Sequence, residues 1–149
     1  MTGMVAGKSF AVGAQGPAFS VGPLTRTDFV RYAGAAEDFN PLHHDDGFAQ
    51  QAGHRSVFAH GMFSAGLLAS FLVKWFGPDC IRRFSVRFKE QVWPGDVLTA
   101  TGRVIALEDE GDLQLAIVNI ALTNRSGVVV VVVGDAAVLV PQMLSSPPD

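Results

Sequence analysis

The chain has 149 residues, of which 48% are hydrophobic and 17% charged, with a formal net charge of −3 at pH 7. That length suits one globular domain with a substantial core, and the composition excludes a disordered chain. The slight acidity leaves no basic face for nucleic acid, and the single cysteine, Cys80, excludes an intrachain disulfide.

Residues 1–22 contain Gly3, Gly7, Gly13, Gly16 and Pro17 and no continuous apolar stretch, so no secretory signal is expected. Cytoplasmic residence fits that start and the lone cysteine, which reads as a small buried residue. We read residues 1–149 as one domain, with a loose tail from about residue 143 that includes Ser145-Ser146-Pro147-Pro148-Asp149.

The first helix signal is Thr25-Arg26-Thr27-Asp28. Thr25 can cap a helix, and Asp28 completes a variant of the capping box. Phe29, Val30, Ala33 and Ala36 follow at helical spacing. Proline disfavours helical backbone in the residue before it, so the helix is expected to end at Asn40, ahead of Pro41. A short helix over Asp46 to Ala52 is expected, ended by Gly53.

The next helix opens at His60-Gly61, runs from Met62 to Phe76, and closes at Gly77-Pro78. Ser64, Gly66, Ser70 and Lys74 interrupt it, so it falls short of the roughly 20 apolar residues of a membrane span. It is apolar nearly all round, which predicts burial on most sides. Gly61, Ala65, Gly66 and Ala69 are expected to admit another backbone closely.

Beyond residue 79 the period changes from helix to strand. Phe84, Val86 and Phe88 alternate with Ser85, Arg87 and Lys89. Trp93-Pro94-Gly95-Asp96 is a turn, and Val97 to Leu107 a strand. Glu108 to Asp112 reads as an acidic hairpin tip. Leu113 to Thr123 and Val128 to Val140 are strands joined at Asn124-Arg125-Ser126-Gly127. The valine run, Val128 to Val133, predicts a strand covered on both faces or at a subunit contact. The order predicts an α+β fold in which three or four antiparallel strands of about ten residues wrap one buried helix.

Chemistry concentrates in Asp38-Phe39-Asn40-Pro41-Leu42-His43. Asp38 and His43 flank an Asn-Pro turn and could hold one water molecule between them. Hydration of a conjugated thioester needs that water deprotonated as it attacks C3 and a proton delivered to C2, transfers suited to histidine and carboxylate near neutral pH. Backbone N–H groups at the start of the Gly61-Met62 helix could face the negative charge growing on the thioester oxygen. The same residues also read simply as turn chemistry, since Asp and Asn side chains bond nearby backbone. His60 likewise reads as a polar residue ahead of a helix, and His44 and His54 as loop histidines. No histidine pair with a third ligand emerges, so no metal site is expected.

The segment Tyr32 to Asp45, Tyr-Ala-Gly-Ala-Ala-Glu-Asp-Phe-Asn-Pro-Leu-His-His-Asp, resembles the hydratase motif of MaoC-like (R)-specific enoyl-CoA hydratases and 3-hydroxyacyl-thioester dehydratases. Phe48-Ala49, His60-Gly61-Met62, Phe84-Ser85-Val86-Arg87-Phe88 and Pro94-Gly95-Asp96 resemble that family in order and spacing, from about Leu24 to Pro141. The resemblance implies a hot-dog fold, a long central helix wrapped by a curved antiparallel sheet. It also implies syn hydration of trans-2-enoyl thioesters to the (R)-3-hydroxy form.

On this resemblance Asp38 and His43 occupy the catalytic positions, and Gly61 supplies the backbone N–H to the thioester oxygen. Asn40 and His60 take supporting roles. Two positions depart: Ala36, where many members have serine, and Ala69, where some place an active-site serine. Arg83 and Arg87, with Arg82 and Lys89 nearby, are candidates for carrier phosphates, or else a solvated strand face. Coenzyme A or the phosphopantetheine of an acyl carrier protein then enters only as part of the substrate, with no separate cofactor. A homodimer is the first expectation and a heterodimer with a paralogous hot-dog subunit, as in dehydratases of fatty-acid elongation, the second. A hot-dog thioesterase is the alternative chemistry, and a non-catalytic stabilising subunit the non-enzyme alternative.

Overall fold

The computed structural model describes residues 10–111, 113–124 and 129–140. Its elements in chain order are β1 (Phe19–Val21), α1 (Arg26–Ala36), α2 (Asp46–Gln51), α3 (Gly61–Phe76), β2 (Ile81–Phe88), β3 (Leu98–Glu110), β4 (Leu113–Asn124) and β5 (Val129–Val140). A single 3-10 turn, Pro41–His43, lies between α1 and α2. The strands form one antiparallel sheet in the order β1-β3-β4-β5-β2. The expected tail from about residue 143 and most of the Asn124–Gly127 connection lie outside the described residues.

α3 packs across β2, β3, β4 and β5. Its buried positions are Ser64, Ala65, Leu68, Phe71, Leu72 and Trp75, the spacing of one helical face. Phe71 and Trp75 seat the helix against the sheet, where a Cβ at Gly102 would lie 2.8 Å from the Phe71 ring. Leu98, Val104, Val118, Leu122, Val132 and Val138 line the sheet side of the core. Among the described residues, no helix is long and apolar enough to cross a membrane.

The structure corrects several sequence expectations. The first helix ends at Ala36, not Asn40. Glu37 adopts a left-handed backbone with φ 55°, its N–H donates to the Ala33 carbonyl, and the Asp38 N–H reaches the same oxygen at 3.1 Å. A left-handed cap usually announces itself as glycine, so a glutamate there gives no local signal.

The acidic tip is shorter than expected. β3 continues through Glu108, Asp109 and Glu110, which pair with Leu115, Gln114 and Leu113. Gly111, at φ 63°, makes the turn. The helix α3 is also less enclosed than its composition predicts. Met62 is 62% and Val73 40% exposed. No backbone crosses closely at Gly66, where a Cβ would meet nothing within 4 Å, and Gly61 faces the Phe88 ring instead.

Within the valine run, Val128 and the side chains of Val129 and Val130 lie outside the described residues, and the strand is bulged at Val131. Leu122 pairs with Val132 and Thr123 with Val130, leaving Val131 as a β-bulge. A bulge turns two successive side chains to one side, and Val131 and Val132 are both buried. Bulging also aims the Val131 carbonyl outward, where the N–H groups of Lys89 and Glu90 donate to it at 2.8 and 3.3 Å.

Candidate active site

Short-range hydrogen bonds build the turn that carries Asp38 and His43. Asp38 Oδ1 accepts from the Asn40 N–H at 3.3 Å, and Asn40 Oδ1 accepts from the Leu42 N–H at 3.1 Å. Asn40 thus caps the 3-10 turn, and Pro41 at its first position contributes a pre-set φ. Asp45 then caps α2 by accepting from the Phe48 N–H at 3.0 Å. One aspartate turn at Asp38 and two caps, Asn40 and Asp45, thus shape the segment in succession. The result leaves the Asp38 side chain 54% exposed while His43 is buried at 9%.

The tautomer of His43 follows from its partner. Nδ1 lies 2.7 Å from the Phe58 carbonyl oxygen, which only accepts, so Nδ1 carries the hydrogen. Nε2 is then a lone pair. Loss of solvation in this buried position lowers the His43 pKa below its usual value, against the smaller opposing effect of the Phe58 carbonyl. The imidazole is therefore held neutral at pH 7, with the Nε2 lone pair free to accept a proton.

His60 joins this pair from the start of α3. Its ring stacks on His43 with centroids 3.7 Å apart and an interplanar angle of 28°. Its Nε2 donates to the Asp38 main-chain carbonyl at 2.9 Å and lies 3.8 Å from Asp38 Oδ2. Tyr32 closes the far side, its ring centroid 5.0 Å from that of His60. His60 Nδ1 is buried and without a hydrogen-bond partner among the described residues.

One ligand-capable atom each from Asp38, His43 and His60 lie within 4.8 Å of one another. The sequence offers no third ligand beside a histidine pair, and the fold brings three ligand-capable side chains close together. Direction argues differently. Imidazole lone pairs lie in the ring plane, and two rings stacked at 28° send theirs out side by side instead of to one point. The Nδ1–H of His43 and Nε2–H of His60 are also committed to carbonyl oxygens.

Because His60 turns its side chain to Asp38, α3 begins with no side-chain cap. The first-turn N–H groups of a helix lack intrahelical partners, and the helix dipole makes that end attractive to negative charge. Gly61 and His60 open onto a cleft of about 440 Å³ whose other walls include Phe58, Ser64, Phe88 and Lys89. A larger groove of about 540 Å³, lined by Leu24, Tyr32, Phe63 and Leu67, holds none of the three converging residues, whereas the smaller cleft is walled by one of them, His60, and by Gly61, so it is the candidate site.

The structure thus brings Asp38, Asn40, His43, His60 and Gly61 together. It does not bring in Arg83 and Arg87, which are exposed on β2, the edge strand, and do not line the cleft. Lys89, two residues further, does. His44 Nε2 donates to the Phe39 carbonyl and His54 pairs with Gln91, both as loop histidines. Ala69 does not line the cleft; the polar side chain that α3 places there is Ser64, which sequence reasoning passed over. Its signal was a lone hydroxyl on an otherwise apolar helical face.

Comparison with known proteins agrees with this geometry. Residues 14–125 match the MaoC like domain family. The chain is 34% identical over 120 residues to an (R)-specific enoyl-CoA hydratase of Rhodospirillum rubrum, covering 79% of this chain and 81% of that protein. Its fold superposes on the (R)-hydratase from A. caviae involved in PHA biosynthesis with a TM-score of 0.78 and 30% identity, covering 91% of this chain and all (100%) of the other. A TM-score of 0.78 is also found with the ChsH1-ChsH2 complex from Mycobacterium tuberculosis, at 25% identity over 89% of this chain and 100% of that one. The helix α3 wrapped by the five-stranded antiparallel sheet is the hot-dog fold. The chain belongs to the MaoC-like family of hot-dog proteins.

Proposed function

We propose that this chain is a hydro-lyase that reversibly converts trans-2-enoyl thioesters into (R)-3-hydroxyacyl thioesters. The observation that carries this reading is the basic lone pair of His43 Nε2 beside the Asp38 carboxylate, next to the open N-terminus of α3. Groups within 4.8 Å of one another are the right distance apart to share one water.

In the hydration direction Asp38 orients the water by accepting one of its hydrogens. His43 Nε2 takes the other as the oxygen bonds to C3. The C2–C3 π pair moves toward the carbonyl, and the enolate oxygen meets the Gly61 N–H. His43 then returns a proton to C2. Because one group removes and delivers the proton, both new bonds form on one face of the alkene, which gives syn addition. Asn40 shapes the turn, and His60 pins the Asp38 backbone and supports the His43 ring. The reaction uses no separate cofactor; coenzyme A or phosphopantetheine is part of the substrate, with Arg83 and Arg87 as outer phosphate contacts.

Assembly and location follow the same reading. β2 is an edge strand with open hydrogen-bonding groups, and Phe39, Met62 and Phe88 near the site are 63%, 62% and 48% exposed. We propose a dimer formed with a second hot-dog subunit, a second copy first and a paralogue second, working in the cytoplasm. The similarity to the two-protein ChsH1-ChsH2 complex favours keeping the paralogue in view.

The test is an assay with a short trans-2-enoyl-CoA that follows both loss of enoyl absorbance and release of free thiol. Hydration consumes the enoyl band with no thiol. Thiol release at the same rate would establish a thioesterase instead. Dialysis against a strong chelator is expected to leave the hydration rate within about twofold, because the stacked imidazoles do not converge on an ion. A large loss restored by a divalent cation would overturn that expectation.

The same assay has a defined pH dependence. His43 works as the neutral base and its pKa is lowered, so hydration holds from neutral pH down past the ordinary histidine value of about 6.5. Below the lowered pKa it falls about tenfold per pH unit. Stability follows the same sign: between the lowered folded pKa and the unfolded one the unfolded chain binds more protons, so stability drops as pH falls through that window. A hydration limb rising only above pH 7 would contradict the assignment of His43.

A further inference from the structure

Ser64 stands three residues after Gly61, on the same side of α3. It is the only polar residue on the buried face of that helix, and it is 2% exposed. Burying a hydroxyl among apolar neighbours costs stability unless a partner is found, so an alanine would serve the packing better. Ser64 nonetheless lines the cleft beside His60, Gly61, Phe58 and Phe88. Phe58 is the residue whose carbonyl fixes the His43 tautomer, so this wall and the catalytic pair share one frame.

The uncapped start of α3 sets what this hydroxyl faces. The Phe63 N–H is already used by the His60 carbonyl at 3.1 Å, which leaves the earlier amides of the turn. One backbone donor at Gly61 can make a single bond to a carbonyl oxygen. An enolate oxygen has room for two. The hydroxyl one turn further along the same face is the nearest helix side chain able to supply the second.

Resting on the hydratase reading of this cleft, we propose that Ser64 Oγ–H donates to the thioester carbonyl oxygen alongside the Gly61 N–H. The two donors hold the oxygen most strongly while it carries the negative charge gained as water bonds to C3, and more weakly once the neutral carbonyl reforms, so their effect falls on kcat. Ser64 is thus a substrate-touching donor, and the buried lone pair of His60 Nδ1 is the competing acceptor in the same wall.

Donors at a conjugated carbonyl draw electron density along the chain and shift its absorbance to the red. The probe is hexa-2,4-dienoyl-CoA bound to the His43→Gln protein, which cannot turn it over quickly. Added Ser64→Ala is expected to remove a large part of the red shift. In the otherwise unchanged protein, Ser64→Ala is expected to lower kcat about 10²-fold with KM altered less than about threefold. Ser64→Thr restores a hydroxyl and recovers most of the shift. Ser64→Cys keeps nearly the serine volume with a weaker donor, so it reports the same loss if the alanine variant does not fold.

A full red shift in both the Ala and Cys variants overturns the inference and assigns the hydroxyl to packing or to His60 Nδ1. If the parent His43→Gln protein binds the probe with no shift at all, the thioester site itself is misplaced. That outcome overturns the underlying reading separately from the role of Ser64.

Discussion

Asp38→Asn and His43→Gln each lower enoyl-thioester hydration by about 10²–10⁴-fold while the protein stays folded. The structure explains both halves of that result. Asp38 is more than half exposed, and its Oδ1 bond from the Asn40 N–H survives in asparagine, whose own oxygen still accepts. What disappears is the negative charge that orients the water. Glutamine at position 43 can reach the Phe58 carbonyl with its amide, keeping the buried contact, but it has no basic nitrogen. The loss falls on kcat, since neither residue is placed to bind the carrier. The double variant should fall little below the weaker single one, because the two groups handle one water as a unit. Steady-state rates beside a circular-dichroism melt decide it. Near-normal hydration by either single variant would sink the mechanism.

Gly134→Ala destabilises the protein by about 3 kcal/mol, because it over-packs a backbone contact that no side-chain rotation relieves. Gly134 pairs with Val86, and a Cβ there would overlap the Ser85 carbonyl oxygen and press on the Val86 Cα at 3.0 Å. β5 and β2 must move apart to accept it. β2 leads directly into Phe88 and Lys89, so the cleft wall moves with it. For a chain of this size the change corresponds to a melting temperature about 10 °C lower. Gly66→Ala is the matched control. Nothing lies within 4 Å of its Cβ, and alanine in a helix interior is expected to stabilise by about 0.5–1 kcal/mol. If Gly134→Ala melted within about 2 °C of the parent, the close approach of the two strands would not be the constraint described.

The Asp38–His43 turn was legible because its bonds are local. Asp38 to Asn40, Asn40 to Leu42 and Asp45 to Phe48 each span two or three residues, and each uses a side chain whose turn chemistry is written in its type. The Thr25–Asp28 capping box formed as its spacing predicted, with the Thr25 N–H donating to Asp28 Oδ2 at 2.7 Å. The end of α1 was misjudged because a glutamate took the left-handed conformation usually left to glycine. The acidic residues 108–110 were misjudged because cross-strand pairing with Leu113–Leu115 outweighs their preference for a turn.

From sequence alone came the pieces whose partners lie a few residues away: the capped helix, the Asn-Pro turn with its acid and imidazole, the apolar helix after His60-Gly61, and the alternating strands. Only the tertiary structure decided how those pieces act together. It stacked His60 on His43 across 17 residues of chain and fixed the His43 tautomer through Phe58. It also bulged β5 at Val131 and put Ser64 into the cleft in place of Arg83 and Arg87. Those outcomes depend on which distant backbone and ring come to lie beside a residue. Periodicity records which face is buried, not what that face meets.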